Sequence, residues 1–308
     1  MERKLIKQGK GGLTIYLPKK WLQRKNLSEG DNVKITEKGF SLVISSELSE
    51  KKEIEIDLDK NNRGDIINLL THIYRRGFDK IKIINVDNET MKKIKETISE
   101  LLLGFEIIEK SSNFCVVENI SEPTEEKYEA MLKRIFFILK ETHKELLISA
   151  ENNKFNNLSE IKEMRHHQDK LVLFCRRLIS KEKISNNPIT NWELLTFLTH
   201  IQHTYFYLYQ FASKNKVKIS KETLNLIEYL GEYLDLFYKS MYERKLEYVH
   251  EINLLKDSIQ SKCFQRMSKS KGNETVVLSF IRELFRKIQI GTSPILVDLI
   301  EEEVIKDN

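Results

Sequence analysis

Residues 3–21 read RKLIKQGKGGLTIYLPKKW, and they combine a concentration of positive charge with the pattern of strand, turn and strand. Residues 1–25 contain eight lysines and arginines and a single acid, Glu2, so this segment has a net charge of +7. The whole chain has a net charge of +5, and the remaining residues therefore carry −2. This asymmetry predicts that the N-terminal segment binds a polyanion.

The apolar pattern of residues 1–48 predicts a small β-rich domain. Leu13, Ile15 and Leu17 alternate with polar residues, which is the period of a half-buried strand, and Pro18 ends that strand and opens a short helix that reaches Lys25. Two more strands are predicted on either side of the turn at Lys38-Gly39, marked by Val33, Ile35, Phe40, Leu42 and Ile44. Such a unit is too small to bury its apolar faces alone, so we expect it to dimerise.

The composition favours a multidomain, mainly helical protein that is not inserted in a membrane. The 308 residues include only four prolines and eleven glycines, and no apolar run approaches the roughly 18 residues of a membrane span. The three cysteines, Cys115, Cys175 and Cys263, are far apart and lack metal-binding spacing. We expect them to be buried free thiols in a cytoplasmic protein.

Residues 51–120 predict a small α/β domain of order βαβαββ. Apolar residues alternate at residues 54–58 and 80–86, and two amphipathic helices, residues 61–76 and 88–103, are stopped by Gly77 and Gly104. A final hairpin is predicted around residues 111–113.

Residues 123–291 predict an all-α bundle. Apolar residues recur at helical spacing, and the expected helices are 124–150, 159–182, 190–214, 219–242, 245–268 and 274–290. Six helices with short connections indicate an antiparallel bundle, arranged as one bundle or as two three-helix units. Residues 292–308 are expected to form a C-terminal tail that ends in an acidic short helix or a frayed segment.

The N-terminal pattern resembles the AbrB family of swapped-hairpin DNA-binding domains. The resemblance rests on the basic first strand, on LPK at residues 17–19, on GD at residues 30–31 and on the apolar strand at residues 42–44. In that family two chains interleave hairpins into one β-barrel, so the resemblance implies a dimeric barrel that binds double-stranded DNA. The residues implied to contact DNA are Arg3, Lys4, Lys7, Lys10, Lys19, Lys20 and Arg24.

Electrostatics favours the same partner. Lysine and arginine neutralise phosphates and release counterions, and a dimer doubles their number. Because lysines outnumber arginines here, we expect contacts to the DNA backbone and modest sequence specificity. The alternative is a solvated basic face that only keeps a dimer in solution.

The remaining chain is similar to archaeal phosphate uptake regulators, which fuse an AbrB-like domain to a PhoU-like helical domain. The similarity is carried by residues 73–81, 103–111 and 168–177. It implies a DNA-binding transcriptional regulator of phosphate uptake whose PhoU-like bundle receives a signal. The alternative is a protein-interaction module that restrains a phosphate transporter or contacts a phosphate-signalling protein, with the N-terminal barrel serving only to dimerise.

PhoU-like bundles carry pairs of carboxylates that bind metal ions, and this chain departs from that pattern. Asp169 is present, but residue 165 is an arginine and histidines occur in place of other acids. Spacings of three residues put two pairs of side chains each on one helix face, and together these could bind a divalent metal ion. The set is His166, Asp169, His200 and His203. The alternative is that these are polar residues on partly exposed helix faces, or core histidines bonded to hydroxyls.

Motifs of common enzyme classes do not occur in the sequence. GxSxG, Walker A and HExxH patterns are missing, and the glycines of residues 9–12 lack the strand and helix context of a phosphate-binding loop. We therefore expect a protein that is not an enzyme.

Overall fold

The computed structural model describes residues 2–9, 11–38, 41–46, 51–59, 63–121, 124–182, 184 and 187–306. The chain is a mixed α+β protein that divides into two compact units, Met1–Lys51 and Lys52–Asn308. We call them unit 1 and unit 2.

Unit 1 contains two antiparallel hairpins and one short helix. Strand β1 (Ile6–Gln8) pairs with β2 (Gly12–Thr14), α1 spans Lys19–Arg24, and β3 (Val33–Lys38) pairs with β4 (Ser41–Ser46). The predicted order of elements is confirmed. The predicted second strand is too long, because Ile6 pairs with Thr14 and residues 15–17 are outside the strands.

Unit 2 begins with an α/β layer that has the predicted order. Strands β5 (Glu53–Asp57) and β6 (Lys80–Ile84) are parallel, and β8 (Phe114–Asn119) lies antiparallel between β6 and β7 (Phe105–Lys110). Helices α2 (Ile66–Arg75) and α3 (Asn88–Leu101) connect the strands. Gly77 and Gly104, which follow these helices, have φ values of +83° and +80°, a conformation that glycine adopts without strain.

In the part of unit 2 that the structure describes after β8, there are six helices. They are α4 (Glu125–Glu151), α5 (Leu158–Ser180), α6 (Pro188–Lys214), α7 (Lys221–Tyr242), α8 (Leu246–Lys269) and α9 (Asn273–Lys306). Helices α4, α5 and α6 pack against one another, and so do α7, α8 and α9. The two triplets meet where α6 packs on α9 and α4 packs on α7, so two three-helix units share one apolar core.

The last helix corrects the expected tail. Helix α9 continues through Gly291 and Pro294 to Lys306. A Cβ at Gly291 would lie 3.1 Å from Phe237 Cζ and 3.4 Å from Phe197 Cβ, so this glycine permits close helix packing and does not stop the helix. Pro294 removes one backbone donor, while the buried side chains of Ile295 and Leu299 hold the continuation against the bundle.

The α/β layer is attached to the bundle through α5. Helices α2 and α3 pack against α5, and Leu173 of α5 contacts the apolar core of the α/β layer. Lys170 Nζ donates a hydrogen bond of 2.9 Å to the carbonyl oxygen of Ser99 in α3. The α/β layer and the bundle therefore form one compact unit.

The three cysteines are buried and free, as predicted. Burial raises the pKa of Cys115 and of Cys263 to about 11, so these thiols are protonated near neutral pH. Within the residues that the structure describes, no helix combines the length and the apolar composition needed to cross a bilayer.

Candidate nucleic-acid interface

Helix α1 presents three of the predicted DNA-contacting residues. Pro18 precedes the helix with φ −63°, and its carbonyl oxygen accepts hydrogen bonds from the backbone N–H groups of Trp21 (2.9 Å) and Leu22 (3.1 Å). Trp21 and Leu22 are partly buried. Lys19, Lys20 and Arg24 are exposed, so the short helix holds its apolar residues inward and its cations in solvent.

The other predicted contact residues lie in and before β1. Arg3, Lys4 and Lys7 are exposed, and Lys7 lies opposite Leu13 in the hairpin. Lys10 lies outside the described residues. Among the residues that are described, none of the six cations forms an ion pair, which leaves their charges available to an anionic partner.

The GD pair that contributed to the family resemblance has a local structural role. Gly30 has a φ of +92°, and the Asp31 carboxylate accepts a hydrogen bond of 2.6 Å from the backbone N–H of Ser28. Glycine supplies the left-handed conformation and aspartate closes the turn that leads into β3.

Unit 1 has no interior of its own among its described residues. None of residues 2–9, 11–35 and 41–46 has a buried side chain. Large apolar side chains are exposed in both hairpins and beside them, with exposed fractions of 63% for Leu13, 60% for Ile35 and 69% for Leu42. Apolar surface of this extent on a small β unit is typical of an interaction surface.

The structure brings together two of the four residues predicted to bind metal. His203 of α6 lies 2.9 Å from the Asp169 carboxylate of α5, measured from Nε2 to Oδ1. Arg165 Nε lies 3.7 Å from the other carboxylate oxygen, and its guanidinium stacks on Phe206 at 4.7 Å. Asp169 is thus flanked by His203 and by an arginine that neutralises its charge.

The other two residues of that set are not part of this contact. His166 is exposed and lies 4.0 Å from Glu100 of α3, and His200 is exposed. The side chain of His200 is only partly desolvated, and this desolvation, together with the nearby charge of Lys287, lowers its pKa. Within the described ranges no three His, Cys, Asp or Glu side chains converge on a point that could hold a metal ion, and metal binding stays a prediction.

A buried charged cluster that the sequence did not indicate joins the α/β layer to the bundle. Arg177 of α5 donates to Asp79 Oδ1 at 2.6 Å and to the carbonyl oxygens of Tyr74 and Phe78 at 3.2 and 2.5 Å. Lys181 also contacts Asp79 Oδ1, at 2.5 Å. The available signal was a pair of arginines inside the apolar run VLFCRRLI at residues 172–179.

The same cluster fixes the first residue of unit 2. Asp79 Oδ2 accepts a hydrogen bond of 3.1 Å from the backbone N–H of Lys52, and the Asp79 N–H donates to the Lys52 carbonyl oxygen at 2.7 Å. The Asp79 carboxylate therefore contacts both Lys52, where unit 1 is attached, and Arg177 of α5.

Comparisons of the chain with models of protein families, with characterised proteins and with solved structures find no significant match.

Proposed function

We propose that the chain is a homodimeric, DNA-binding transcription regulator in which unit 1 contacts double-stranded DNA. The observation that carries the proposal is that the described part of unit 1 exposes apolar side chains together with the six predicted contact cations, which form no ion pair there. A β-rich unit without buried side chains requires a second layer to be stable. The exposed cations give the completed unit a surface that suits a polyphosphate.

A second copy of the chain is the layer that fits best. Leu13, Ile35 and Leu42 lie on two hairpins of the same unit, and a two-fold arrangement can pair such apolar faces with themselves. The resemblance to swapped-hairpin domains supports this arrangement. A dimer would carry about a dozen of the described cations on one assembly, which doubles the charge that faces DNA.

The expected salt dependence follows from that number. If about half of these cations contact phosphates, Z is about 6 and the slope of log affinity against log salt is about −5. Affinity for duplex DNA would then fall roughly 10³-fold between 50 and 200 mM salt. Such a slope distinguishes contact through many phosphates from weak adsorption.

Fluorescence anisotropy with a labelled duplex of about 30 base pairs tests the proposal. We expect the double variant Lys19→Glu with Lys20→Glu to abolish binding at 100 mM salt. The matched control, Lys144→Glu with Lys162→Glu, makes the same charge change at two exposed positions of unit 2 and should retain most of the affinity. Equal losses in the two variants, or binding that does not depend on salt, would refute the assignment.

Sedimentation velocity tests the dimer separately. Leu13→Asp puts a charge on the apolar face of unit 1 and should produce monomers that bind DNA weakly. The control Leu254→Asp changes a side chain that is 82% exposed on α8 and should leave the dimer intact. A dimer that persists in Leu13→Asp would show that the two copies associate through another surface.

We further propose that unit 2 receives the signal and that the regulated genes serve phosphate uptake. The phosphate assignment is supported by the sequence resemblance. The role of unit 2 in receiving a signal is supported by the contacts of Asp79. This residue links Arg177 of α5 to Lys52, where unit 1 is attached. If no DNA binding is found, the interaction module that restrains a phosphate transporter becomes the better hypothesis.

A further inference from the structure

An open cleft in unit 2 has the size and the apolar wall of a small-molecule site. Its volume is about 620 Å³, and it lies between the end of α2, the end of α5 and the start of α6. The apolar wall is formed by Ile179, Pro188, Ile189, Trp192 and Phe197. Ligand-binding sites commonly have volumes of about 300–1,000 Å³ and a few polar groups in an apolar lining.

Two arginines lie close to the tryptophan of this wall, and a third lines the cleft. Arg76 lines the cleft, and the guanidinium carbons of Arg75 and Arg176 lie 6.0 and 5.2 Å from the centre of the Trp192 ring. Arg176 Nη2 donates a hydrogen bond of 2.9 Å to the hydroxyl of Thr196, which also lines the cleft. Arg176 is not itself a lining residue, but it contacts two lining side chains, Trp192 and Thr196.

The three arginines have no ion-pair partner among the described residues. No described acidic residue forms an ion pair with Arg75, Arg76 or Arg176, although Glu193 also lines the cleft. Arg176 is only 9% exposed, and its Nε atom is buried without a hydrogen-bond partner in the described part of the chain. A buried charge without a counter-ion is unfavourable, and most buried polar groups in proteins are paired.

The neighbouring arginine shows how this chain balances a buried guanidinium. Arg177 is paired with the Asp79 carboxylate, whereas the acid that acts on Arg176, Asp169, is already in contact with His203. Burial, together with the charge of Arg75, lowers the pKa of Arg176 to about 10. An external anion in the cleft would supply the ion-pair contact that the described residues do not make with these arginines.

We propose that the cleft beside Trp192 binds a small organic anion that joins one acidic group to an apolar, aromatic part. The aromatic part would stack on Trp192, and the acidic group would lie toward Arg76 and Arg176. A carboxylate, a phosphate and a sulfonate share the required chemistry. The proposal is independent of DNA binding, since it concerns unit 2 alone.

Indole N–H resonances in ¹⁵N-labelled full-length protein provide a site-specific test. The chain contains two tryptophans, Trp21 and Trp192, and the variant Trp21→Phe assigns their signals. The probe is 8-anilinonaphthalene-1-sulfonate, and the comparison ligand is N-phenyl-1-naphthylamine, which has the same ring system without the sulfonate. We expect a saturable shift of the Trp192 signal at one equivalent of the sulfonate, with an affinity at least tenfold above that of the amine.

The variant Arg76→Gln tests the role of charge at an exposed position, where the substitution leaves the buried core unchanged. It should weaken binding of the sulfonate about tenfold and leave the amine unchanged, while the control Lys144→Gln changes neither. The proposal is overturned if only Trp21 shifts, if both ligands bind equally, or if Arg76→Gln weakens both to the same extent. Loss of DNA binding in other experiments has no bearing on these readouts.

Discussion

Replacing Asp79 by alanine removes the carboxylate on which the junction between the α/β layer and the bundle depends. The change removes the carboxylate that the guanidinium of Arg177, which is 1% exposed, and the ammonium of Lys181 both contact. It also removes the hydrogen-bond acceptor of the Lys52 N–H. Breaking a buried ion pair from one side costs about 3–5 kcal/mol, because the remaining charge stays buried.

The chain provides a matched control for this estimate. Asp235 contacts Lys140 at 2.6 Å, the same distance as Asp79 to Arg177. In this pair, however, both side chains are substantially exposed to solvent. Solvent-exposed pairs contribute about 0–1 kcal/mol, so Asp235→Ala should lower the free energy of unfolding by less than about 1 kcal/mol. The comparison isolates the effect of burial at equal contact distance.

Urea unfolding followed by circular dichroism at 222 nm measures both variants, because the long helices of unit 2 dominate that signal. Hydrogen exchange at the Lys52 amide gives a local readout and should become faster in Asp79→Ala only. If Asp79→Ala is no more destabilising than Asp235→Ala, the reasoning from burial is wrong.

Acidification tests the same carboxylate. Burial alone would raise the pKa of Asp79, but hydrogen bonds from Lys181 and the Lys52 N–H, with the charges of Lys181 and Arg177, hold it below its usual value. A carboxyl with a lowered pKa in the folded state stabilises the fold above its unfolded pKa of about 4 and loses that contribution as the pH falls through the folded value. The difference in unfolding free energy between the native chain and Asp79→Ala should therefore narrow below about pH 4.

Two further substitutions have outcomes that the packing determines. Gly231→Ala would place a Cβ 2.5 Å from Nε2 of the buried His143, so we expect a net loss of about 1–2 kcal/mol in unfolding free energy. The control Gly64→Ala has open space around the added Cβ and should be nearly neutral. Glu274→Ala removes the acceptor of two hydrogen bonds from Ser220 and one ion-pair partner of Arg266, so thermal denaturation should show a loss of about 2–3 kcal/mol. A change below about 0.5 kcal/mol, the usual size for surface substitutions, would contradict this role.

The sequence predicted the order of the elements well, because local patterns determine it. Alternating isoleucines indicated β6, and recurring apolar residues indicated the six helices to within a few residues at most ends. The predicted end of α9 was wrong because glycine ends many helices. Only the contacts of Gly291 with Phe197 and Phe237 show that this glycine permits close helix packing. Those contacts join residues that are distant in sequence.

For the candidate sites, too, the sequence indicated local properties but not contacts between residues that are distant in sequence. The basic character of unit 1 is a local property and was evident in the sequence. The partners of Asp169 were not evident, because spacing identifies the face of a helix and does not identify the face that packs against it. The link between Asp79 and Arg177 was missed for that reason, since it joins the residue before β6 to a helix that lies far along the chain.

The packing of α5 against both the strands and the other helices bears on how the chain can be divided. A cut between residues 121 and 124 separates the α/β layer from the bundle at a point where the sequence suggests a domain boundary. It would, however, put Arg177 in one fragment and Asp79 in the other, and so expose both to water. Leu173 would lose its apolar surroundings as well. A cut after Lys51 breaks neither contact, so proteolysis and recombinant dissection should yield an intact fragment there.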